Sequence, residues 1–207
     1  ARAIWNSVEG ERMWAQLRGY AVARPETVRR MFGHGRILSS DWRQPENARD
    51  CLRLLTAKAA RRLRREGYLA SALHVSIGTQ DGMRWGGETT FFPARDDHTF
   101  LRKACEVYDA GIRALEGRRL KKVSVMLHHI SQPGEVSADL FEHANKAAER
   151  SRWERVTDAM DVLNSRNGGC VVSLGPRKEP PGGYAGAKIA FGRVPDLDDF
   201  LVVRTDR

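Results

Sequence analysis

The sequence predicts an α+β fold: a four-stranded β-α-β-β-α-β sheet with two helices on one face. A helical N-terminal segment precedes it and an α/β extension follows. Three observations carry this reading. Segments 45–66 and 97–116 repeat apolar residues at helical spacing. Segments 69–78 and 121–130 alternate apolar and polar residues, as strands half-buried on a core do. Gly67, Gln80-Asp81-Gly82 and Gly117 supply stop and turn signals between them. Two helices layered on one sheet face is the compact solution for that order.

Residues 3–18 read as a helix closed by Gly19, and 20–30, with Pro25, as a linker. The first strand is 31–39, in which Gly33 and Gly35 signal a bulge or a close approach by another backbone. Pro45 suits the first turn of the next helix. Ala48, Leu52, Leu55, Ala59 and Leu63 form its buried stripe, and Arg49, Arg53, Arg61, Arg64 and Arg65 contribute to its polar remainder. In the second strand Leu69, Leu73, Val75 and Ile77 face the core, and Ala72, His74 and Ser76 face outward. The returning strand, 83–92, is ended by Pro93. Leu101, Ala104, Tyr108, Ile112 and Leu115 form the stripe of the second helix, and Val123, Val125 and Leu127 the core face of the fourth strand. Residues 135–149 lack periodicity and read as a mobile loop. A helix over 150–164 carries Trp153, Val156, Met160 and Leu163 on one side, and Cys170–Leu174 is a short strand candidate. The domain reading is 1–30, 31–130 and 131–207.

The chain has 207 residues, enough for one large domain with appendages, and a net charge of +9. A basic surface attracts polyanions, nucleic acids above all, although acidic proteins and anionic membranes fit the charge equally. No stretch approaches the ~18 apolar residues that span a bilayer. Cys51, Cys105 and Cys170 are odd in number and far apart, which suits a reducing, cytoplasmic setting and no zinc site. There is no nucleophile elbow, P-loop or metal motif. The adjacent His128 and His129 point to opposite faces of a strand and do not readily share an ion. Asp196, Asp198 and Asp199 read as a solvated turn rather than a metal site.

The sheet face away from the helices must be solvated or meet a partner. Its predicted residues are Arg36, His74, Ser76, Arg84, Thr90, Ser124 and Met126, a basic and small polar set that admits a phosphate backbone closely. The densest basic run, Lys58 with Arg61, Arg62, Arg64 and Arg65, reads as a solvated helix face with cations near its C-terminus, ahead of a phosphate patch. Trp85 and Phe91 read as core packing, ahead of stacking on bases.

Several strings, in order, resemble the C-terminal half of Y-family, translesion DNA polymerases, especially the UmuC-type branch of the ImpB/MucB/SamB group. SVEGERMWAQLRGY resembles the final thumb helix. GHGRIL, LTAKAARRLRREGYLASALHVSI, ETTFFP and GRRLKKVSVMLHHISQPG resemble successive elements of the little finger. DLF, DVLNSRNGG and KIAFGRVPDLDDF resemble the tail. The resemblance implies a DNA-binding part of a lesion-bypass polymerase, within DNA repair and the SOS response. It implies no catalytic residue and no cofactor in this chain, because the two metal ions, Mg²⁺ in the parent, are held by palm carboxylates that would precede Ala1. It places DNA on the sheet, with Gly33, His34, Gly35, Arg36, Arg84, Thr89, Thr90, Lys121 and Lys122 as candidate contacts. It places a bacterial sliding clamp on Asp139, Leu140 and Phe141, the last three places of a Q-L-[SD]-L-F peptide whose first two are here Ser137 and Ala138. The alternatives are the same region of an inactive Y-family adaptor and an RNA-binding α/β module. The second needs exposed aromatics on central strands, and no RNP-type run is present.

Overall fold

The computed structural model describes residues 8–23, 29–136 and 144–175. Four strands, β1 (Met31–Ile37), β2 (Leu69–Thr79), β3 (Arg84–Ala94) and β4 (Leu120–Ser131), form one antiparallel sheet in the order β1-β4-β2-β3. Helices α2 (Pro45–Arg65) and α3 (Asp97–Ala114) cover one face. α2 lies over β1 and β4, and α3 over β2 and β3. α1 (Val8–Leu17) precedes the sheet and α4 (Ala144–Arg166) follows it.

Local chemistry sets the helix ends. Pro45 occupies the first turn of α2. At its other end Gly67 takes φ +76°, Tyr68 N–H donates to Leu63 C=O and Gly67 N–H to Arg64 C=O. This left-handed cap satisfies carbonyls the helix leaves open. At the start of α3 the Asp96 carboxylate accepts from Thr99 N–H at 2.7 Å. Leu52, Leu55 and Leu63 from α2 and Phe100, Ala104 and Tyr108 from α3 meet Phe32, Leu73, Val75, Ile77, Val123, Val125 and Leu127 from the sheet in one core. Each of the larger side chains contributes about 1.5–3 kcal/mol by leaving water. Tyr108 ties the two helices together, its hydroxyl donating to Pro45 C=O at 2.7 Å. Trp85 packs toward the core, in a slot opened by Gly87 and Gly111, and Phe91 packs on Phe100.

The structure departs from the sequence reading at several places. Ala70 joins the core cluster and Leu69 does not, because alternation reverses at Ser71. Across the sheet His129 has a left-handed φ of 50°, and Ser71 Oγ donates to its carbonyl. Beyond that pair Ile130, one position out of the earlier phase, packs against the core. β3 continues past Pro93 to Ala94, since it is an edge strand and Pro removes no needed ladder bond there. The stretch read as a mobile loop to 149 is helical from Ala144. Leu163 is exposed, and the buried side of α4 is Thr157, Met160 and Asn164. Cys170–Leu174 is no strand. The Asn164 side chain pairs with it instead, accepting from Val171 and Val172 N–H and donating to Val172 C=O.

The basic run of α2 is neither a solvated face nor a phosphate patch throughout. Arg64 is 5% exposed. It donates to Asp97 at 2.7 Å, to Arg95 C=O at 2.9 Å and, through two nitrogens at 2.6 and 3.0 Å, to Asp161 of α4. Burial pushes the Asp97 carboxyl up, and Arg64 acts against that. Arg95 makes a second two-pronged pair with Asp158, Asp97 N–H donates to Thr157 Oγ, and Trp153 stacks on His98. α4 is thereby fixed to the helical layer, away from the open sheet face.

Candidate nucleic-acid interface

Strand registers define the open face as four rows crossing β1, β4, β2 and β3 in turn. They are Met31–His128–Ala72–Thr90, Gly33–Met126–His74–Glu88, Gly35–Ser124–Ser76–Gly86 and Ile37–Lys122–Gly78–Arg84. The third row has no side chain larger than a hydroxymethyl group. It forms a shallow trough walled by Met126, His74 and Glu88 on one side and by Lys122 and Arg84 on the other, with the Lys122 chain leaning over Gly35 and the His74 ring over Gly86. Gly33 and Gly35 mark close approach rather than a bulge, because β1 pairs with β4 without irregularity. A Cβ on Gly35 would lie 3.0 Å from Ser124 Cβ, and one on Gly86 2.9 Å from His74 Nε2. Glycine is where a backbone ligand gets closest to a sheet.

Among the candidate contacts Gly33, Gly35, Arg84, Thr90 and Lys122 lie together on this face. Lys121 sits at the irregularity where Gly78 faces Lys122 but Thr79 faces Leu120, and it is exposed. His34, Arg36 and Thr89 lie on the other side. Phe32 is in the core, and strict alternation from it carries His34 and Arg36 toward α2, opposite Val125 and Val123. His34 Nε2 is 3.4 Å from Arg62 Nη1. Burial, together with the charges of Lys58 and Arg62, lowers its pKa to about 4. Burial raises the Cys51 thiol of α2 to about 11, and the Arg36 charge opposes this. Thr89 pairs with Leu73 on the helix side. Asp139, Leu140 and Phe141, like Asp196, Asp198 and Asp199, lie outside the described residues.

Arg84 and Lys122 are exposed, as is Glu88. His128 Nε2 stands 3.7 Å from Glu88 Oε1. Burial lowers the His128 pKa, Glu88 opposes, and His129 and His74 add to the lowering. Among the described residues no cluster of His, Cys, Asp or Glu is arranged to hold a metal ion, and no helix is long and apolar enough to cross a membrane. The sequence reading missed the trough as a unit. Its signal was there as small residues two apart in β1 and β2, Gly33 and Gly35, Ser76 and Gly78, with Ser124 and Gly86 opposite Ser76.

The chain thus pairs a sheet covered by helices on one face with a small-residue, cation-edged trough on the other. The model of the impB/mucB/samB family C-terminal domain matches residues 29–140, just over half the chain. The chain belongs to that family, the C-terminal part of Y-family DNA polymerases. Curated proteins give no match. Among solved structures, a "Y-family DNA polymerase chimera Dbh-Dpo4(243-245)-Dbh" is similar at 12% identity and TM-score 0.46 over 63% of this chain and 38% of that one. The "complex of beta-clamp processivity factor and little finger domain of PolIV" is similar at 16% identity and TM-score 0.40 over 54% of this chain and 99% of the matched one. The "insertion ternary complex of Dbh DNA polymerase" is similar at 13% identity and TM-score 0.42, again over 38% of its length. The chain thus spans well under half of the polymerase chains it resembles.

Proposed function

We propose that this chain is the DNA-gripping part of a lesion-bypass polymerase, holding primer-template DNA by its phosphates on the open sheet face. The trough of Gly35, Ser124, Ser76 and Gly86, edged by Lys122 and Arg84, carries this reading. A backbone can lie against it while the two cations meet phosphates, and contacts of that kind position DNA without selecting sequence. The chain supplies no catalytic group of its own, and 1–30 is the end of the thumb with its linker. Segment 131–207 carries the sliding-clamp peptide at Asp139, Leu140 and Phe141. Neighbouring leucine and phenylalanine side chains suit a preformed apolar pocket, where a few anchors dominate affinity.

The test is duplex binding by the full chain across a salt series. Arg84→Ala and Lys122→Ala each weaken binding to unrelated duplexes alike and flatten the salt slope by about one unit. Arg36→Ala and Arg65→Ala, on the helix side, leave it nearly unchanged. A larger loss from the helix-side pair than from Arg84 and Lys122 overturns the sheet-face assignment. The RNA-module alternative loses ground because the four rows hold no Phe, Tyr or Trp on which bases stack.

A further inference from the structure

The open face is electrically lopsided. Its permanent cations, Arg84 and Lys122, share the last row, and its carboxylate, Glu88, lies two rows away beside His74. Four residues of strand separate these rows, about 13 Å. The imidazole end therefore has no fixed positive charge of its own, and a phosphate backbone laid over the whole face meets Glu88 there. His128 faces that end from β4. Around it stand His74 from β2, Glu88 from β3, uncharged Met31 from β1 and the His129 ring, whose centroid is 4.8 Å away. His128 Nε2 is buried and has no hydrogen-bond partner among the described residues. Glu88, half-exposed, is too far to accept from it. A buried imidazole nitrogen without a partner costs free energy, and an incoming oxygen acceptor relieves that cost.

We propose that His128, with His74 beside it, is a phosphate ligand of the open face, taking up protons as DNA binds. The inference rests on the reading of that face as the DNA grip. The four rows carry a net +1 from Arg84, Lys122 and Glu88, and protonating both imidazoles brings them to +3. In the free chain burial lowers the His128 pKa, Glu88 opposes it, and the neighbouring imidazoles add to the lowering. A phosphate oxygen near Nε2 favours the charged form and supplies the missing acceptor. Imidazole is the side chain suited to this, because modest changes of surroundings carry its charge across neutrality. The unprotonated face then releases DNA more readily than the protonated one.

The experiment is fluorescence anisotropy of a labelled duplex with the full chain at fixed salt, from pH 8 to pH 6. Calorimetry in two buffers of different ionisation enthalpy counts the protons taken up. Each proton linked to binding steepens affinity by up to tenfold per pH unit. The wild-type chain should bind at least about tenfold tighter at pH 6 and take up protons. His128→Gln should remove most of the pH dependence and the uptake, and His74→Gln part of it. For each variant the readout is the ratio of its affinities at pH 6 and pH 8, taken against the wild-type ratio. Binding that is the same at both pH values, with no uptake by the wild type, overturns the proposal while leaving the DNA grip intact. Undiminished uptake in a folded His74→Gln, His128→Gln double variant also overturns it. No binding at any pH, even at low salt, defeats the grip itself and this inference with it.

Discussion

Replacing Arg64 with Leu tests how α4 is held. The substitution removes a guanidinium that is almost fully buried and donates to three partners on three segments. It leaves Asp97, 9% exposed at its side chain, without its countercharge. Breaking a buried pair from one side costs about 3–5 kcal/mol, because the remaining charge must stay desolvated. At about 2–4 °C per kcal/mol for a chain of this size, the melting temperature should fall by roughly 6–20 °C. The pH dependence separates a lost charge pair from lost packing. Burial already raises the Asp97 pKa, and without Arg64 it rises further. A carboxyl whose folded pKa exceeds its unfolded value destabilises the fold above the unfolded pKa, and this penalty disappears as pH falls below it. The deficit relative to wild type should thus be largest at pH 7 and shrink toward pH 4. Arg64→Lys, keeping the charge but not the forked geometry, should fall in between. Urea unfolding at both pH values measures this. A loss under about 1 kcal/mol at pH 7, or an equal loss at pH 4, refutes the reasoning.

His34, held near pKa 4 by burial and two cations, must stay neutral in the fold. Stability is therefore lost as pH falls from about 6.5 toward 4, and His34→Gln should lessen that acid loss in thermal melts; an unchanged acid limb would count against it. Gly111→Ala in α3 should destabilise although Ala is the better helix former by about 1 kcal/mol. Its Cβ would lie 2.5 Å from the Trp85 ring, and a rise in melting temperature would show that the ring yields. Leu140→Ala with Phe141→Ala should abolish calorimetric binding to a sliding clamp while sparing the melting temperature. Clamp binding that survives both changes removes the peptide assignment.

The parts of the fold legible in the sequence are those fixed by local rules. α2 and α3 were readable from long apolar stripes with Pro45 and Gly67 at the ends, and β2 and β4 from alternation. The phase of β1 was not, because two glycines imitate a bulge and only pairing with β4 shows that Arg36 turns inward. Arg64 was misread because a buried arginine and a solvated one leave the same local pattern. Its acidic partners stand 33 and 97 residues away. Cys170–Leu174 has strand composition, but its partner is the side chain of Asn164. Part of the candidate site was legible, since Arg84, Thr90 and Lys122 follow from alternation alone, whereas the placement of Gly33 and Gly35 on the open face rests on the pairing of β1 with β4.

The match to the family ends at residue 140, before α4 begins. Yet Asp161 on α4 completes the charge balance around Arg64, and Thr157 accepts the backbone N–H of Asp97. A fragment cut at the family boundary would leave that guanidinium with one carboxylate and open both to water. What is shared among relatives and what melts as one piece are then different lengths of chain. In this protein the helix outside the shared part is clasped by residues inside it. Anyone trimming the chain for crystallisation or grafting should place the end beyond Gly175, where Arg53 still holds Leu174 C=O.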